Sequence, residues 1–227
     1  MHDTMNVVKM KLLLRFETAT NPWLELRALM RSAASDQKIE MLAAPVVVDR
    51  KKERTRISMQ IRAVGLEHES TGPLSQAVAH AHATMVELNS ASPFPEVEMM
   101  RCDVAFIDPF DMPFHELVEL MKAHYLTPTR IADGSSDIGL IFDQRENGLL
   151  KHVQLGPMDR AQLMSEILRW PNENEIPDTF VFVNAGYEKV TSIAFSGDTL
   201  NKFLEEATQW QESEANRLVN ELRERGG

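Results

Sequence analysis

The stretch Val7-Val8-Lys9-Met10-Lys11-Leu12-Leu13-Leu14-Arg15-Phe16 turns Val8, Met10, Leu12, Leu14 and Phe16 to one side and Lys9, Lys11 and Arg15 to the other. Alternation with a period of two is the pattern of a half-buried strand, because successive side chains of an extended chain face opposite ways. The segments that follow decide the fold class. Trp23 to Ser32 carries Trp23, Leu26, Leu29 and Met30 at helical spacing, and Ile39 to Val48 is β-branched, with Pro45 favouring an edge or a bulge. Asp49 to Thr55 reads as a turn, after which Ile57, Met59, Ile61 and Ala63 alternate with Arg56, Ser58, Gln60 and Arg62. Leu74 to Asn89 holds a second helical stripe, and Val97 to Ile107 returns as a strand.

The same order then begins again. Phe114, Leu117, Val118, Met121 and Tyr125 form a helix stripe, and Ile138 to Asp143 and Leu149 to Leu155 make a hairpin around Asn147-Gly148. A helix over Arg160 to Trp170 and strands at Thr179 to Val183 and Lys189 to Phe195 complete it. Pro22, Pro73, Pro113 and Pro157 each precede an apolar helical run, which suits proline because its missing N–H has no partner in a first turn. The order predicts an α+β fold of two tandem ferredoxin-like βαββαβ halves, residues 1–108 and 109–197, with mainly antiparallel sheets that share or divide the strand 97–107. Residues 198–227 follow as a long helix with Leu200, Phe203, Leu204, Ala207, Trp210, Leu218 and Leu222 near one side. Leu12, Leu14, Ile57, Met59, Ile61, Phe106, Leu140 and Phe142 are the expected core of the strands.

Composition excludes several classes. No apolar run approaches the roughly 20 residues that span a bilayer, and Met1 to Asn6 has no leader-type stretch. The lone Cys102 excludes an intramolecular disulfide and a thiolate cage, so a cytoplasmic protein is expected. A net charge of −10 opposes nucleic acid at long range. There is no phosphate loop, no dinucleotide fingerprint and no nucleophile elbow, and no cofactor is expected.

Three smaller signals remain. Asp108, Asp111, His115 and Glu119 come closest to a metal or acid–base set, but a zinc-protease helix requires histidine at 119, so a solvated helix face is expected and no metal is assigned. His80 and His82 point apart on their helix and are expected at the surface. Cys102 shares a strand side with Met100, Val104 and Phe106 and is expected to behave as a small buried hydrophobe.

The densest positive charge is Arg50, Lys51, Lys52, Arg54 and Arg56 at a hairpin tip. If the strands at 7–16 and 57–63 are central neighbours, Lys9, Lys11, Arg15, Arg56 and Arg62 share the sheet face without helices, and no aromatic ring accompanies them for base stacking. These five are the candidate anion-binding or partner-binding residues. The acidic last helix, with Glu205, Glu206, Glu212 and Glu214, is one candidate to meet them.

The strand ending in Arg15-Phe16, the strand Cys102 to Ile107, the exit Val153-Gln154-Leu155-Gly156-Pro157 and the acidic helix after Phe180 to Val183 together resemble a sporadically distributed family of uncharacterised bacterial proteins, often found near mobile or defence-related genes. The family has no established catalytic residues. The chain departs from it at Val104-Ala105-Phe106-Ile107-Asp108, where the family more often has an Arg- and Tyr-containing strand. The resemblance and the missing motifs favour a non-catalytic binding or accessory protein that holds a protein partner or self-associates. A metal-dependent or acid–base enzyme and a nucleic-acid-associated module are the alternatives.

Overall fold

The computed structural model describes residues 5–19, 37–41, 46–70, 72–126 and 136–226. Its elements are β1 (Asn6–Phe16), β2 (Gln37–Met41), β3 (Val46–Arg50), β4 (Thr55–Gln60), β5 (Ala63–Glu69), α1 (Leu74–Ala91), β6 (Val97–Pro109), α2 (Phe114–Tyr125), β7 (Leu140–Glu146), β8 (Leu149–Asp159), α3 (Arg160–Gln162, continued by a π turn at Leu163–Ile167), β9 (Thr179–Ile193) and α4 (Gly197–Gly226). The nine described strands form one sheet in the order β2-β3-β4-β5-β1-β6-β9-β8-β7. Every neighbouring pair is antiparallel. The α+β class and the long C-terminal helix are as expected.

The tandem plan is altered. Strands β4-β5-β1-β6 keep the spatial order of a βαββαβ unit, its first strand between its third and fourth. The rest runs β6-β9-β8-β7, so β7, β8 and β9 are neighbours in chain order and β6 joins the two parts into a single sheet. Here β8 and β9 pair directly. The segment between them holds α3 and a 3-10 turn at Glu173–Glu175, and α3 packs on the sheet face opposite the other helices, where Leu163, Ile167 and Leu168 cover Val8, Ala105, Ile107, Phe180 and Phe182.

The main core lies on the first face. Met10, Leu12, Leu14 and Phe16 of β1, Cys102, Val104 and Phe106 of β6 and Val183 and Ala185 of β9 meet Ala77, Ala81 and Met85 of α1, Leu117 and Met121 of α2 and Leu204, Ala207 and Leu222 of α4. Burying each large side chain contributes about 1.5–3 kcal/mol. Gln211 is a polar exception inside this core. It is fully buried, and its amide donates to the carbonyls of Cys102 and Ala185 at 2.8 and 2.7 Å, which fastens α4 to two adjacent strands.

Several boundaries differ from the sequence reading. The helix at 23–32 and Pro22 lie outside the described residues. The single strand expected over 39–48 is two antiparallel strands, β2 and β3. The strand expected to end at Ala63 ends at Gln60, and a turn at 61–62 leads into β5, which the sequence reading missed. In consequence Ile61 is exposed instead of buried; Phe142 is exposed as well, and Leu140 is half-buried, both being on an edge strand. The other five expected core residues are buried. Pro73 and Pro113 hold the N-cap positions of α1 and α2, whereas Pro157 belongs to β8. The start of α3 is set by Asp159, whose carboxylate accepts from Gln162 N while the Gln162 side chain accepts from Asp159 N, a capping box. The two strands expected at 179–183 and 189–195 are one, β9.

The Asn147-Gly148 hairpin is as expected. Both residues have positive φ, 47° and 79°, the requirement of a two-residue turn that matches strand twist.

Candidate functional site

On the second face of the sheet, residues from eight strands fall into one transverse row, seven with side chains and one a glycine. Register places Asp49 (β3) opposite Arg56 (β4), Arg56 opposite Glu67 (β5), Glu67 opposite Lys11 (β1), and Lys11 opposite Asp103 (β6). The row continues through Gly186 (β9) and His152 (β8) to Asp143 (β7). Charge alternates in sign from β3 to β6. Facing opposite charges across antiparallel strands each contribute about 0.2–1 kcal/mol and fix register.

Gly186 is necessary to this arrangement. A Cβ there would stand 2.5 Å from Asp103 Oδ1 and 3.6 Å from an Arg101 guanidinium nitrogen. The space is taken by a forked pair in which Arg101 donates to both Asp103 oxygens at 2.8–3.1 Å, with Glu188 at 3.5 Å from the same guanidinium. Hydrogen bonding to Asp103 pushes the Arg101 pKa up.

The five sequence-predicted cations are divided by their surroundings. Lys9, Lys11, Arg15 and Arg56 do share this face, but Arg62 belongs to the β4–β5 turn. The face is not basic, because β5 lies between β1 and β4 and brings Glu67 between Lys11 and Arg56. Lys9 is buried, 3.1 Å from Glu67, and donates to the carbonyl of Ile167 at 2.9 Å. Arg15 and Arg62 both bind Glu98, at 2.5 and 3.1 Å. Arg56 lies 3.9 Å from Asp49. Burial opposes the charge of Glu67, but Lys9, aided by Lys11 and Arg56, outweighs it and holds the carboxyl below its usual range. The last helix does not supply these partners, since α4 packs on the other face against β6 and β9.

Lys11 differs from the other four. It is exposed and forms no ion pair among the described residues. Beside it a hollow of about 290 Å3 opens where the sheet meets α3, with Lys11, Asp103, Asn184, Gln154, Glu166 and the paired Lys9 as polar lining over a floor that includes Ala105 and Phe182. Nothing in the sequence marked Asn184 or Glu166, and Gln154 was noted only within the strand exit at 153–157. Their signal was phase alone, and it required the strand order to be read.

The chain that leaves the hollow after Ile167 is clamped by charge. Glu69, buried at the end of β5, accepts from the backbone N–H groups of Arg169 and Trp170 at 2.5 and 2.9 Å. Arg54 donates to the Trp170 carbonyl and to Glu175, both at 3.0 Å. With Lys9 on Ile167, three charged side chains from before β6 hold the end of α3 and the segment after it. This accounts for part of the basic hairpin tip: Arg54 has φ 50° in the turn and points to the clamp.

The remaining candidates resolve as follows. Asp108 is buried and accepts twice from Arg223 of α4, at 2.6 and 2.9 Å. Glu119 pairs with Lys122 at 2.7 Å, and His115 is 80% exposed beside Glu116. Among the described residues no three His, Cys, Asp or Glu side chains are grouped to hold a metal. His80 and His82 are not plain surface residues. His80 stacks on His68 with ring centroids 4.3 Å apart, both imidazoles reach the buried Thr55 hydroxyl at 2.8 and 3.0 Å, and His82 contacts the Gly197 carbonyl at 3.0 Å. Cys102 is fully buried, and burial pushes its thiol pKa far up, which removes it as a nucleophile. No described helix is long and apolar enough to cross a membrane.

No protein-family model matches the chain, and no curated protein matches it.

Proposed function

We propose that this is a non-catalytic binding protein that holds an acidic segment of a protein partner on its polar sheet face, with Lys11 as the contact. The observation that carries the reading is Lys11 itself, exposed without an ion pair at the mouth of the hollow while its four companion cations are neutralised by Glu67, Glu98 and Asp49. A carboxylate entering there gains a hydrogen-bonded ammonium partner, while Asn184 and Gln154 offer amide donors and acceptors and Phe182 and Ala105 give apolar contact. The flanking Asp103 and Glu166 disfavour a second anionic group, so one carboxylate in a peptide suits the hollow better than a polyphosphate chain. In this reading the first half keeps the ferredoxin-like plan, the single buried thiol suits the cytoplasm, and the bacterial family resemblance points to a partner in a mobile-element or defence setting.

The test is capture of the partner on tagged protein, followed by titration of the purified pair. Lys11→Glu is expected to weaken binding by about tenfold or more, as charge reversal at a contact does, while Lys202→Glu on the exposed side of α4 leaves it unchanged. Wild-type affinity in a folded Lys11→Glu protein overturns the reading. Steep salt-dependent capture of RNA or DNA instead would support a nucleic-acid module.

A further inference from the structure

Strand β7 is the last strand of the sheet, and β8 is its one strand neighbour among the described residues. Six of its seven residues are exposed. Ile141 is 65% exposed on the polar face and Phe142 46% on the other, so the strand is solvated on both sides. An edge strand of this kind presents a row of N–H and C=O groups that template another strand, and its charged side chains decide which strand it accepts.

The hairpin fixes which groups those are. Across a two-residue turn, Glu146 and Leu149 form the closing pair, and in such a turn that pair exchanges both backbone hydrogen bonds. Alternation then turns the backbone groups of Ile141, Asp143 and Arg145 outward, away from β8.

We propose that β7 pairs antiparallel with β7 of a second copy of this chain, about a twofold axis through Gln144, to make one continuous sheet across the dimer. The charge pattern selects the occupant and the register. With Gln144 opposite its own copy, Asp143 of each protomer faces Arg145 of its partner, giving two symmetric ion pairs on the polar face. All four of those residues have outward backbone groups, so the same alignment forms the ladder hydrogen bonds. A shift of the axis to Asp143 places carboxylate opposite carboxylate, and a shift to Arg145 places guanidinium opposite guanidinium. Both are disfavoured. Arg145 has no ion pair among the described residues, and Asp143 already ends the alternating row through His152, 2.6 Å away. The partner's Arg145 continues that alternation across the seam. A seven-residue strand pair buries less than the roughly 1,200–2,000 Å2 of a standard interface, so the dimer is concentration-dependent. The pairing is a different surface from the Lys11 hollow, and either can fail without the other.

Cross-linking decides it. Gln144 is a non-hydrogen-bonded pair with itself across the axis, the geometry in which Cα atoms approach to about 4.5 Å, within the range a disulfide spans. Gln144→Cys is expected to form an intermolecular disulfide under mild oxidation, with buried Cys102 as a silent background, while Asp143→Cys is not. In sedimentation equilibrium from micromolar to submillimolar concentration, wild type is expected to double its mass. Arg145→Asp is expected to weaken the dimer by about tenfold or more by facing two like charges twice, and Asp143→Arg with Arg145→Asp restores it. A monomeric wild type over this range, an undiminished dimer in Arg145→Asp, or faster cross-linking at Asp143→Cys than at Gln144→Cys overturns the proposal.

Discussion

Thr55, His68 and His80 show how a single buried hydroxyl organises two titratable rings. Thr55 Oγ1 lies 3.0 Å from the Glu53 carbonyl and donates to it, which leaves its lone pairs for one N–H from each imidazole. Burial, then the neighbouring His80 and Arg54, lower the His68 pKa from 6.5 to about 4, against a hydrogen bond to Glu53 that raises it. The folded state therefore binds fewer protons than the unfolded chain between those values, so the contribution of His68 to stability is complete above pH 6.5 and is lost as pH falls toward about 4. His68→Gln keeps a donor but removes the titration. Urea midpoints measured across that window are expected to fall less steeply with acid in the variant than in wild type, and parallel slopes would contradict the assignment. At this scale the sequence was legible where a residue's neighbours were its own strand mates, as for Cys102 with Met100, Val104 and Phe106. It was silent where the partner came from another element, as for His80 with Thr55 and Asp108 with Arg223.

Among elements, β5 and the segment after α3 carry the most consequence. The run Ala63-Val64-Gly65-Leu66-Glu67-His68-Glu69 escapes a hydrophobic scan because only Val64 and Leu66 mark its buried phase, while Gly65, Glu67 and Glu69 face the other way. A Cβ at Gly65 would meet Ser58 Oγ at 2.7 Å, so a larger residue there would turn that hydroxyl aside. Missing this strand turned an alternating-charge face into a basic one. The two strands read at 179–183 and 189–195 were separated for a similar reason: Asn184-Ala185-Gly186 looks like a turn, yet Gly186 is there to admit Asp103 and Arg101 over β9. Glu69 ties β5 to the chain that follows α3, and hydrogen bonds to a charged acceptor are each worth about 1.5–3 kcal/mol. Glu69→Ala is expected to raise amide exchange at Arg169 and Trp170 by at least tenfold, roughly 1.4 kcal/mol, while the core amides of β1 and β6 keep their protection. Unchanged exchange at those two amides would mean that the clamp holds nothing.

For the molecule as a whole, element order predicted the class, the antiparallel pairing and the closing helix, because these follow from periodicity along the chain. It could not predict that β9 inserts beside β6 or that α3 crosses to the opposite face, since both depend on which surfaces are left unburied once the first strands have assembled. With α1, α2 and α4 on one face, the other face is left to α3 and to the charged row, in which Lys11 is the exposed cation that faces Glu67 and Asp103 across the strands without closing an ion pair on either. Lysine acylation with and without bound partner reports which of the two faces is covered. Bound partner is expected to shield Lys11 from the reagent while Lys202 on α4 reacts as before, with buried Lys9 unreactive in both states. Equal labelling of Lys11 in the free and bound protein, with protection of Lys202 in its place, would contradict it.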